Sequence, residues 1–251
     1  MSLLCNELHV SPDLALYHTG PALDHGPLPS IFYFSLSGPD SLTLDPFNQP
    51  VQFLADRWIR FFSLTLPAHE SGLPPKKAIS VWAEEMSKGI DRLSEFFDQA
   101  LTAVDYAIRS KLVDPAKLGL AGLSRGGFIA SHLAAREERF RAILQFAPIT
   151  NLGWTQEFQP LQGHPLLQAL DLFPLAPKIA NRPIRLYMGN KDTLVGTRNC
   201  VDFALHLAEQ STHRSPPIEL ILTPSIGHMG HGTAPETFRQ GAEWLANLLT
   251  K

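Results

Sequence analysis

The sequence predicts an α/β fold: a single domain over residues 1–251, built on a mostly parallel twisted sheet of about eight strands with helices on both faces. Short apolar runs alternate along the chain with longer segments of helical periodicity. The short runs are almost continuously apolar, which is typical of parallel strands that are covered on both faces. The composition agrees, because 44% hydrophobic and 18% charged residues suit a packed core.

The strands are predicted from the short apolar runs. Residues 30–38, "SIFYFSLSG", are aromatic and β-branched and run into a Gly-Pro pair, as expected of a buried strand that ends in a turn. Residues 3–10 and 13–20 predict a shorter antiparallel hairpin at the sheet edge. The other predicted strands are residues 58–67, 117–123, 141–148, 183–190 and 218–224.

The clearest predicted helix covers residues 88–110. Its apolar residues step by three and four, as on a helix face that packs against a core. They are Ile90, Leu93, Phe97, Leu101, Val104 and Ile108. Further helices are predicted at residues 127–140, 197–210 and 235–251, the last with Phe238, Ala242, Leu245 and Leu249 at helical spacing.

Residues 149–182 interrupt the alternation of strands and helices. The segment contains Trp154, Phe158, Phe173 and four prolines, so we expect an irregular insertion with short helices. It follows a strand, and ligands of such sheets bind at the carboxyl ends of the strands. We therefore expect a lid or pocket wall over that edge. The other interpretation is a structural excursion that packs its aromatic side chains into the core.

Composition and motifs exclude several classes of function. The formal net charge is −3 and basic residues form no long run, so nucleic acid is not an expected partner. No stretch approaches the roughly 20 apolar residues of a membrane span. The start "MSLLCNELHV" lacks the basic region of a signal peptide, so a cytoplasmic location is expected. The histidines show no paired metal-site spacing, and no glycine-rich nucleotide motif occurs, so neither metal nor cofactor is expected.

A G-x-S-x-G pattern, formed by Gly122, Ser124 and Gly126, stands inside "LGLAGLSRGGFIASHLAARE". The pattern alone is common. It has a mechanical meaning here because a predicted strand precedes it and a predicted helix follows, so that a tight turn would raise the serine at the sheet edge. Glycines tolerate so sharp a bend, and Gly127 allows the helix to pack closely on the strand. A glycine-rich turn without chemistry is the other interpretation.

A serine hydroxyl needs a base within hydrogen-bond reach and an acid that orients this base. Asp192 comes directly after the predicted strand "PIRLYMGN", and His228 comes after the predicted strand "IELILTP". Both residues therefore stand in loops at the expected edge, in the order serine, acid, histidine. The joint placement predicts Ser124, Asp192 and His228 as a catalytic triad.

Each of the two partners has alternatives. His231 follows three residues after His228 and would also reach the edge, but His228 is preferred because it is closer to the strand end. Asp192 could cap the next helix instead of orienting a histidine. Asp171, in the insertion, and Asp202, on a predicted helix, are weaker candidates for the acid.

With these residues the sequence resembles the α/β-hydrolase superfamily. The stretches "VDPAKLGLAGLSRGG", "GNKDTLV" and "SIGHMGHG" are similar to its prolyl-oligopeptidase, dienelactone-hydrolase and small carboxylesterase branches. The similarity runs from Ser30 to the last predicted helix. It implies the α/β-hydrolase fold, with Ser124 as nucleophile, His228 as general base and then acid, and Asp192 as the residue that orients the imidazole.

The resemblance also implies an oxyanion hole, a pair of backbone N–H groups that stabilise the anionic intermediate. One donor is expected at Arg125, the residue after the nucleophile. The other is expected after the strand at 30–38, where many relatives carry His-Gly and this chain carries Ser-Leu-Ser-Gly-Pro. Because Pro39 has no N–H, the donor is Leu36 or Ser37, and we favour Ser37.

Two side-chain questions stay open. Arg125 could attract a carboxylate of the substrate, or it could pair with Asp40 or Glu70 and only support the turn; we favour the pairing. The loop that follows residue 40 could place Phe47 or Asn48 in an acyl pocket, or it could only cover the sheet edge.

The expected activity is that of a serine hydrolase that cleaves a carboxylic ester through an acyl-enzyme, with a small ester or acyl compound as substrate. A peptidase, amidase or thioesterase would use the same triad. Prolyl-oligopeptidase relatives usually carry a propeller domain, for which 251 residues leave no room, so peptide cleavage is the second expectation. A hydrolase fold that only binds a partner is the third.

Overall fold

The computed structural model describes residues 4–70, 72–215 and 217–251. Within these ranges eight strands form one sheet in the order β1-β2-β4-β3-β5-β6-β7-β8. The strands are β1 (Asn6–Ser11), β2 (Leu14–Thr19), β3 (Leu28–Phe34), β4 (Arg60–Ser63), β5 (Val113–Leu123), β6 (Phe140–Phe146), β7 (Ile184–Gly189) and β8 (Ile218–Thr223).

The sheet is antiparallel at one edge and parallel elsewhere. β2 pairs antiparallel with both β1 and β4, and all other neighbours run parallel. Parallel pairing brings the carboxyl ends of β3 to β8 to the same edge. The loops after β5, β7 and β8 therefore meet there, as the sequence analysis requires for its three site segments.

Helices cover both faces of the sheet. They are α1 (Gly38–Thr43), α2 (Gln49–Gln52), α3 (Ala78–Ser87), α4 (Arg92–Arg109), α5 (Arg125–Arg136), α6 (Pro165–Ala169), α7 (Ala176–Ile179), α8 (Thr197–Gln210) and α9 (Pro235–Leu249). α3 to α8 pack on one face, and α1, α2 and α9 pack on the other. Within the described ranges, no helix combines the length and apolar character needed to cross a membrane.

Strand side chains alternate between the two layers of the core, as the two-residue period of a strand requires. In β3, Phe32 and Phe34 pack under α4 and α5, while Ile31 and Tyr33 pack on the side of α1, α2 and α9. All four are at most 1% exposed. Burial on both faces is the reason that this run is apolar at every position.

The predicted fold class is confirmed, down to several elements. Residues 197–210 form α8 and residues 235–249 form α9, and the N-terminal hairpin is present as β1 and β2. Residue 3, the start of the predicted hairpin, lies outside the described residues.

The long helix differs from the prediction at its beginning. α4 begins at Arg92 because the side chain of Asp91 caps it, with Asp91 Oδ1 accepting the N–H of Ser94 at 3.0 Å. Ile90, which was expected in the core-facing stripe, therefore precedes the helix and is 51% exposed. The buried stripe begins at Leu93.

The amino end of the sheet closes around one arginine. Arg60, the first residue of β4, is completely buried. Its Nε donates to the carbonyl of Pro21 at 3.0 Å, and its Nη2 donates to the carbonyl of Ala22. Its Nη1 donates to the carbonyls of Gly26 at 2.7 Å and Leu112 at 2.5 Å. Every guanidinium nitrogen thus has a main-chain acceptor, which offsets the cost of burying the charge.

Candidate active site

Ser124 stands on a sharp turn between a strand and a helix. β5 ends at Leu123 and α5 begins at Arg125, so one residue makes the bend. The φ of 55° and ψ of −114° at Ser124 lie in a region that residues other than glycine rarely adopt. Its N–H donates to the carbonyl of Phe146 on β6 at 2.8 Å, which ties the strained turn to the neighbouring strand.

Close contacts with the backbone explain the glycines of this turn. A Cβ at Gly122 would collide with the carbonyl of Gly126, and a Cβ at Gly126 would collide with the carbonyl of Phe34. A Cβ at Gly127 would lie 2.7 Å from the Cβ of Pro148. Because the first two obstacles are main-chain atoms, no side chain can move aside, and the pattern is a steric requirement of the turn.

Asp192 follows β7, and its carboxylate is fully shielded from solvent. Its Oδ1 accepts the N–H groups of Leu194 at 2.9 Å and Val195 at 3.1 Å. Burial by itself raises the pKa of Asp192, but the hydrogen bond and charge of His231, with the N–H groups of Val195 and Leu194, outweigh it and hold the pKa below its ordinary value. The carboxylate is therefore ionised at neutral pH.

His231 bridges Asp192 and Ser124. Its Nδ1 lies 2.6 Å from Asp192 Oδ2, and its Nε2 lies 2.8 Å from Ser124 Oγ. An ionised carboxylate can only accept, so Nδ1 carries the proton and Nε2 presents a lone pair to the serine hydroxyl. The hydroxyl then donates to His231 Nε2. In this arrangement the imidazole can take the serine proton.

The expectation that His228 lies beside the serine is wrong, because His231 occupies that place. His228 is exposed and begins a short 3₁₀ turn. The loop then reverses, with the N–H of Gly232 donating to the carbonyl of Ile226 at 2.7 Å. Because of this reversal, the chain returns to the sheet edge at His231 and not at His228. The reversal of the loop, and not the distance along the chain from β8, decides which histidine reaches the serine.

Ser124 lines a cavity of about 430 Å³ at the carboxyl edge of the sheet. Its wall carries three charged side chains, Lys76, Arg125 and Glu157. The apolar part of the wall consists of Ile79, Ile149, Trp154, Leu194, Val195 and Met229. The cavity that Ser124 lines therefore has both apolar and charged side chains in its wall.

The insertion at residues 149–182 contributes to the core and to the cavity. Phe158 is completely buried in the core, whereas Trp154 is 52% exposed and lines the cavity. Glu157, between them, also faces the cavity. One aromatic side chain of this segment thus lies in the core, and its neighbours line the cavity beside Ser124.

The side chain of Arg125 makes two contacts, both with uncharged groups. Its Nη1 donates to Nε2 of His69 at 3.0 Å and to the carbonyl of Pro75 at 2.7 Å. His69 Nδ1 donates to the carbonyl of Pro67 at 3.0 Å, which leaves Nε2 as the acceptor. Burial, together with the charge of Arg125, lowers the pKa of His69 to about 4. The imidazole is therefore neutral at pH 7.

Backbone N–H groups near the turn differ in whether they are engaged. The N–H groups of Ser35 and Leu36 both donate to Oγ of Ser41, at 3.1 and 2.9 Å. No acceptor is found within the described residues for the N–H of Ser37. The N–H of Arg125 is at the first position of α5, where the helix itself offers no acceptor. Leu36 is thus engaged elsewhere, and Ser37 and Arg125 keep free donors.

Other candidate residues lie away from the site. Asp171 accepts a backbone N–H inside the insertion, and Asp202 pairs with its neighbour on α8. Within the described ranges neither Asp40 nor Glu70 forms an ion pair with Arg125, and Glu70 instead pairs with a residue of α4. The expected structural pairing of Arg125 is therefore replaced by the contacts to imidazole and carbonyl.

The loop after α1 does not reach the cavity. The Asn48 side chain is buried and donates to the carbonyl of Leu42 at 3.3 Å. The carbonyl of Phe47 accepts the hydroxyl of Tyr33 at 2.5 Å. This loop covers the sheet, and it supplies no acyl pocket. The described residues also contain no cluster of three side chains arranged to hold a metal ion.

A sequence profile of the prolyl oligopeptidase family matches residues 92–251, a range that includes Ser124, Asp192 and His231. The chain belongs to the prolyl oligopeptidase family. It is a serine hydrolase with the α/β-hydrolase fold, as the resemblance of its sequence motifs implies.

One curated protein to which the chain is similar is acylamino-acid-releasing enzyme 2 of Oryza sativa subsp. japonica. It is 37% identical over 158 residues, which are 54% of this chain and 20% of that enzyme. The chain thus spans about a fifth of the length of this curated relative.

Solved structures with the same fold include members of different lengths. TT1662 from Thermus thermophilus superposes with a TM-score of 0.75 at 20% identity, over 100% of both chains. A cold-adapted esterase from an Arctic intertidal metagenomic library gives 0.67 at 17%, over 98% of this chain and 94% of that one. Pyrococcus horikoshii acylaminoacyl peptidase gives 0.69 at 15%, over 100% of this chain and 42% of that one.

The sequence analysis did not connect His69 or Lys76 with the site. His69 follows β4 in the chain. In the sheet β3 lies between β4 and β5, so only the strand order brings His69 near Ser124. No local motif marks either residue. For His231 the signal was visible, since it stands in the correct loop, but nothing in the sequence ranks it above His228.

Proposed function

We propose that this chain hydrolyses a carboxylic ester through an acyl-enzyme, with Ser124 as the nucleophile. The single observation that carries the proposal is the continuous hydrogen-bonded line from Asp192 through His231 to Ser124. The two hydrogen-bond distances along this line are 2.6 and 2.8 Å. The line ends on the hydroxyl of Ser124, which has a strained backbone and lines the cavity. This geometry supports the three proposed roles, because such triads are recognised by their geometry and not by sequence position.

In the first step the Ser124 hydroxyl attacks the acyl carbon while its proton passes to His231 Nε2. Asp192 keeps the imidazole in the Nδ1–H tautomer and stabilises the imidazolium. As the tetrahedral intermediate collapses, the ester bond breaks and the alcohol leaves with the proton from His231 Nε2. Water then attacks the acyl-enzyme with His231 again as base, and the carboxylic acid is released from Ser124.

The anionic oxygen of each intermediate needs N–H donors that are already in place. We assign this role to the backbone N–H groups of Arg125 and Ser37. Two facts support the assignment: the Arg125 N–H is at the unpaired start of α5, and the competing N–H of Leu36 is taken by Ser41. Loss of one such donor typically costs about 10²–10³ in kcat.

The cavity supports a substrate of modest size. Its volume of about 430 Å³ is in the range of small-molecule sites, and its apolar wall suits a short acyl chain. We propose that residues 149–182 act as a cap over this site, since Trp154 and Glu157 from that segment form part of the wall.

A second candidate function is removal of an acylated amino acid from an amide. It is favoured by the 37% identity over 158 residues to the rice acylamino-acid-releasing enzyme. Amide cleavage uses the same groups but depends more strongly on proton donation from His231 to the leaving amine, because an amine is a poorer leaving group than an alcohol.

The two candidates are separated by an ester and an amide with the same acyl group. N-acetyl-alanine 4-nitrophenyl ester and N-acetyl-alanine 4-nitroanilide are compared by kcat/KM, with Ser124→Ala as control. An ester hydrolase cleaves the first, leaves the anilide nearly untouched and loses activity with Ser124→Ala. Comparable rates on the anilide would favour the second candidate. Hydrolysis that survives Ser124→Ala would refute both.

A further inference from the structure

Arg125 is a charged side chain beside the nucleophile without a matching counter-ion in contact. Burial lowers the pKa of Arg125 to about 10, against the opposing field of Glu157, so that the guanidinium stays charged at neutral pH. Both of its hydrogen-bond partners, the His69 imidazole and the Pro75 carbonyl, are neutral. Within the described residues no carboxylate lies within 4.0 Å of it.

One edge of the Arg125 guanidinium has no partner among the described residues and is available to a ligand. Its two contacts use the two hydrogens of Nη1. In the described part of the chain, Nε and Nη2 of Arg125 have no acceptor. These two nitrogens form the planar fork that binds a carboxylate with two parallel hydrogen bonds. Because Arg125 lines the cavity together with Ser124, a ligand held there is next to the reacting hydroxyl.

Structural arginines of this molecule look different. Arg60 donates to carbonyls from all of its guanidinium nitrogens. Arg182 uses both Nη1 and Nη2, each on two carbonyls. Arg125 is fixed at Nη1 only, and its fixed contacts orient the group without neutralising it. That pattern is expected of a preorganised binding residue and not of a scaffold residue.

The charges of the cavity wall also favour an anionic ligand. Lys76 lines the same wall and adds a second cation. Glu157 is exposed on the insertion and is the one acidic residue of the lining, too far from Arg125 to form an ion pair. Its field partly compensates Arg125 when the cavity is free, and it opposes an incoming anion.

We propose that the site selects substrates that carry a carboxylate besides the bond to be cleaved, and that Nε and Nη2 of Arg125 bind this carboxylate. The inference rests on the proposed function and names its substrate class. The reaction is unchanged: the acyl bond breaks at Ser124, while the second carboxylate stays bound, unreacted, and positions the substrate.

The test compares pairs of esters that differ only in charge. In the first pair the charge is on the acyl side: 4-nitrophenyl hydrogen adipate and 4-nitrophenyl methyl adipate. In the second it is on the leaving group: 3-butanoyloxybenzoate and its methyl ester. We expect kcat/KM of wild type to favour the anionic member of at least one pair by about 10- to 100-fold, the range of a charge-assisted hydrogen-bond pair.

Two variants test the residues. Arg125→Met should bring the ratio of anionic to neutral kcat/KM close to one, and the ratio is meaningful at any overall activity. Glu157→Gln is a conservative change at an exposed position and should raise the same ratio several-fold, which keeps the inference testable if Arg125→Met does not fold.

The outcomes separate the two levels of the argument. Neutral esters that are cleaved by Ser124 with no anionic preference, or a preference that persists in Arg125→Met, would overturn the substrate class and leave the hydrolase intact. A wild-type protein that cleaves none of the four esters and whose serine is not labelled by a fluorophosphonate would overturn the proposed function itself.

Discussion

The arginines at the two ends of the sheet, Arg60 and Arg125, are held in opposite ways. At the amino end, Arg60 is completely buried and donates to four main-chain carbonyls. At the carboxyl end, Arg125 lines the cavity and is held by one nitrogen, and its Nε and Nη2 have no acceptor among the described residues. One arrangement fully satisfies the charge and stabilises the fold. The other leaves donors for a ligand and is the more favourable place for chemistry.

Backbone strain shows the same division. Among the described residues other than glycine, a positive φ occurs at Ala68, Ser124, Ala147 and Met229, which follow β4, β5, β6 and β8 at the carboxyl end. The remaining case, Lys111, ends α4. Strained backbone persists only where the surrounding structure holds it, and it concentrates at functional sites. The molecule therefore keeps its strain where the proposed reaction takes place.

The largest effect is expected from the histidine of the carboxyl end. His231→Ala removes the proposed base and should lower kcat/KM for a 4-nitrophenyl ester by about 10⁴–10⁶-fold. His228→Ala is the matched control from the same loop, and it should retain activity within about twofold, because His228 is exposed and makes no contact with Ser124. The reverse result would remove His231 from the mechanism.

The two arginines should separate stability from function. Arg60→Met leaves several buried carbonyls without a donor, and we expect it to lower the free energy of unfolding by about 3–5 kcal/mol. Arg125→Met loses two hydrogen bonds at the edge of a cavity and should cost about 1 kcal/mol. Urea denaturation of both variants measures the difference. Equal losses would show that Arg125 is also a structural residue.

A methyl group at the turn tests whether the glycine pattern is steric. Gly126→Ala places a Cβ against the carbonyl of Phe34, and we expect a loss of about 3 kcal/mol of stability from this overlap. Gly89→Ala is the control: its φ is 78° but its Cβ would meet open space, so only the torsional cost of about 1 kcal/mol remains. Thermal unfolding compares them, and a larger loss in Gly89→Ala would contradict the steric account.

A smaller effect than that of Arg60→Met or Gly126→Ala is expected from the dependence of stability on pH at the carboxyl end. The pKa of His69 is about 4 in the folded protein, against roughly 6.5 in an unfolded chain. The unfolded state therefore binds more protons in this window, and stability falls as the pH drops from about 6.5 to about 4. At pH 5 the loss from this residue is about 2 kcal/mol.

The variant His69→Gln isolates this contribution. Its amide oxygen can still accept the hydrogen bond from Arg125, but it does not titrate, so unfolding curves at pH 7 and pH 5 should move closer together than in wild type. His132, whose pKa burial lowers to about 3, keeps its own contribution in both proteins. An unchanged difference between the two pH values would mean that His69 is not buried in its neutral form.

The sequence predicts the sheet well because its strands are buried on both faces and must be apolar at almost every position. It predicts α9 from its periodicity and places α8 as a helix between two predicted strands. It does not predict α3 (Ala78–Ser87), although buried side chains of this helix, among them Ile79, Trp82 and Met86, stand three and four residues apart. The predicted start of α4 is too early because Ile90 fits the periodicity, whereas the helix begins only after its N-cap residue, Asp91.

The sequence identifies the loops that form the site, but it does not fix the contacts between them. Ser124 and Asp192 are found because each directly follows a strand. His228 and His231 share one loop, and the choice between them depends on a chain reversal that is fixed by contacts to Ile226. The partners of Arg125 come from residues after β4, which the sequence does not place beside β5. Strands are visible in the sequence as apolar runs, whereas contacts between side chains of distant segments produce no pattern in the sequence.

The most direct test of the account is the position of a fluorophosphonate adduct on the wild-type protein, mapped by peptide mass spectrometry. Only a serine activated by a neighbouring base reacts readily with this probe. The account predicts a single adduct on the peptide that contains Ser124, and none in Ser124→Ala. An adduct on a different residue, or none on the folded protein, would contradict the claim that the carboxyl end of this sheet is a hydrolytic site.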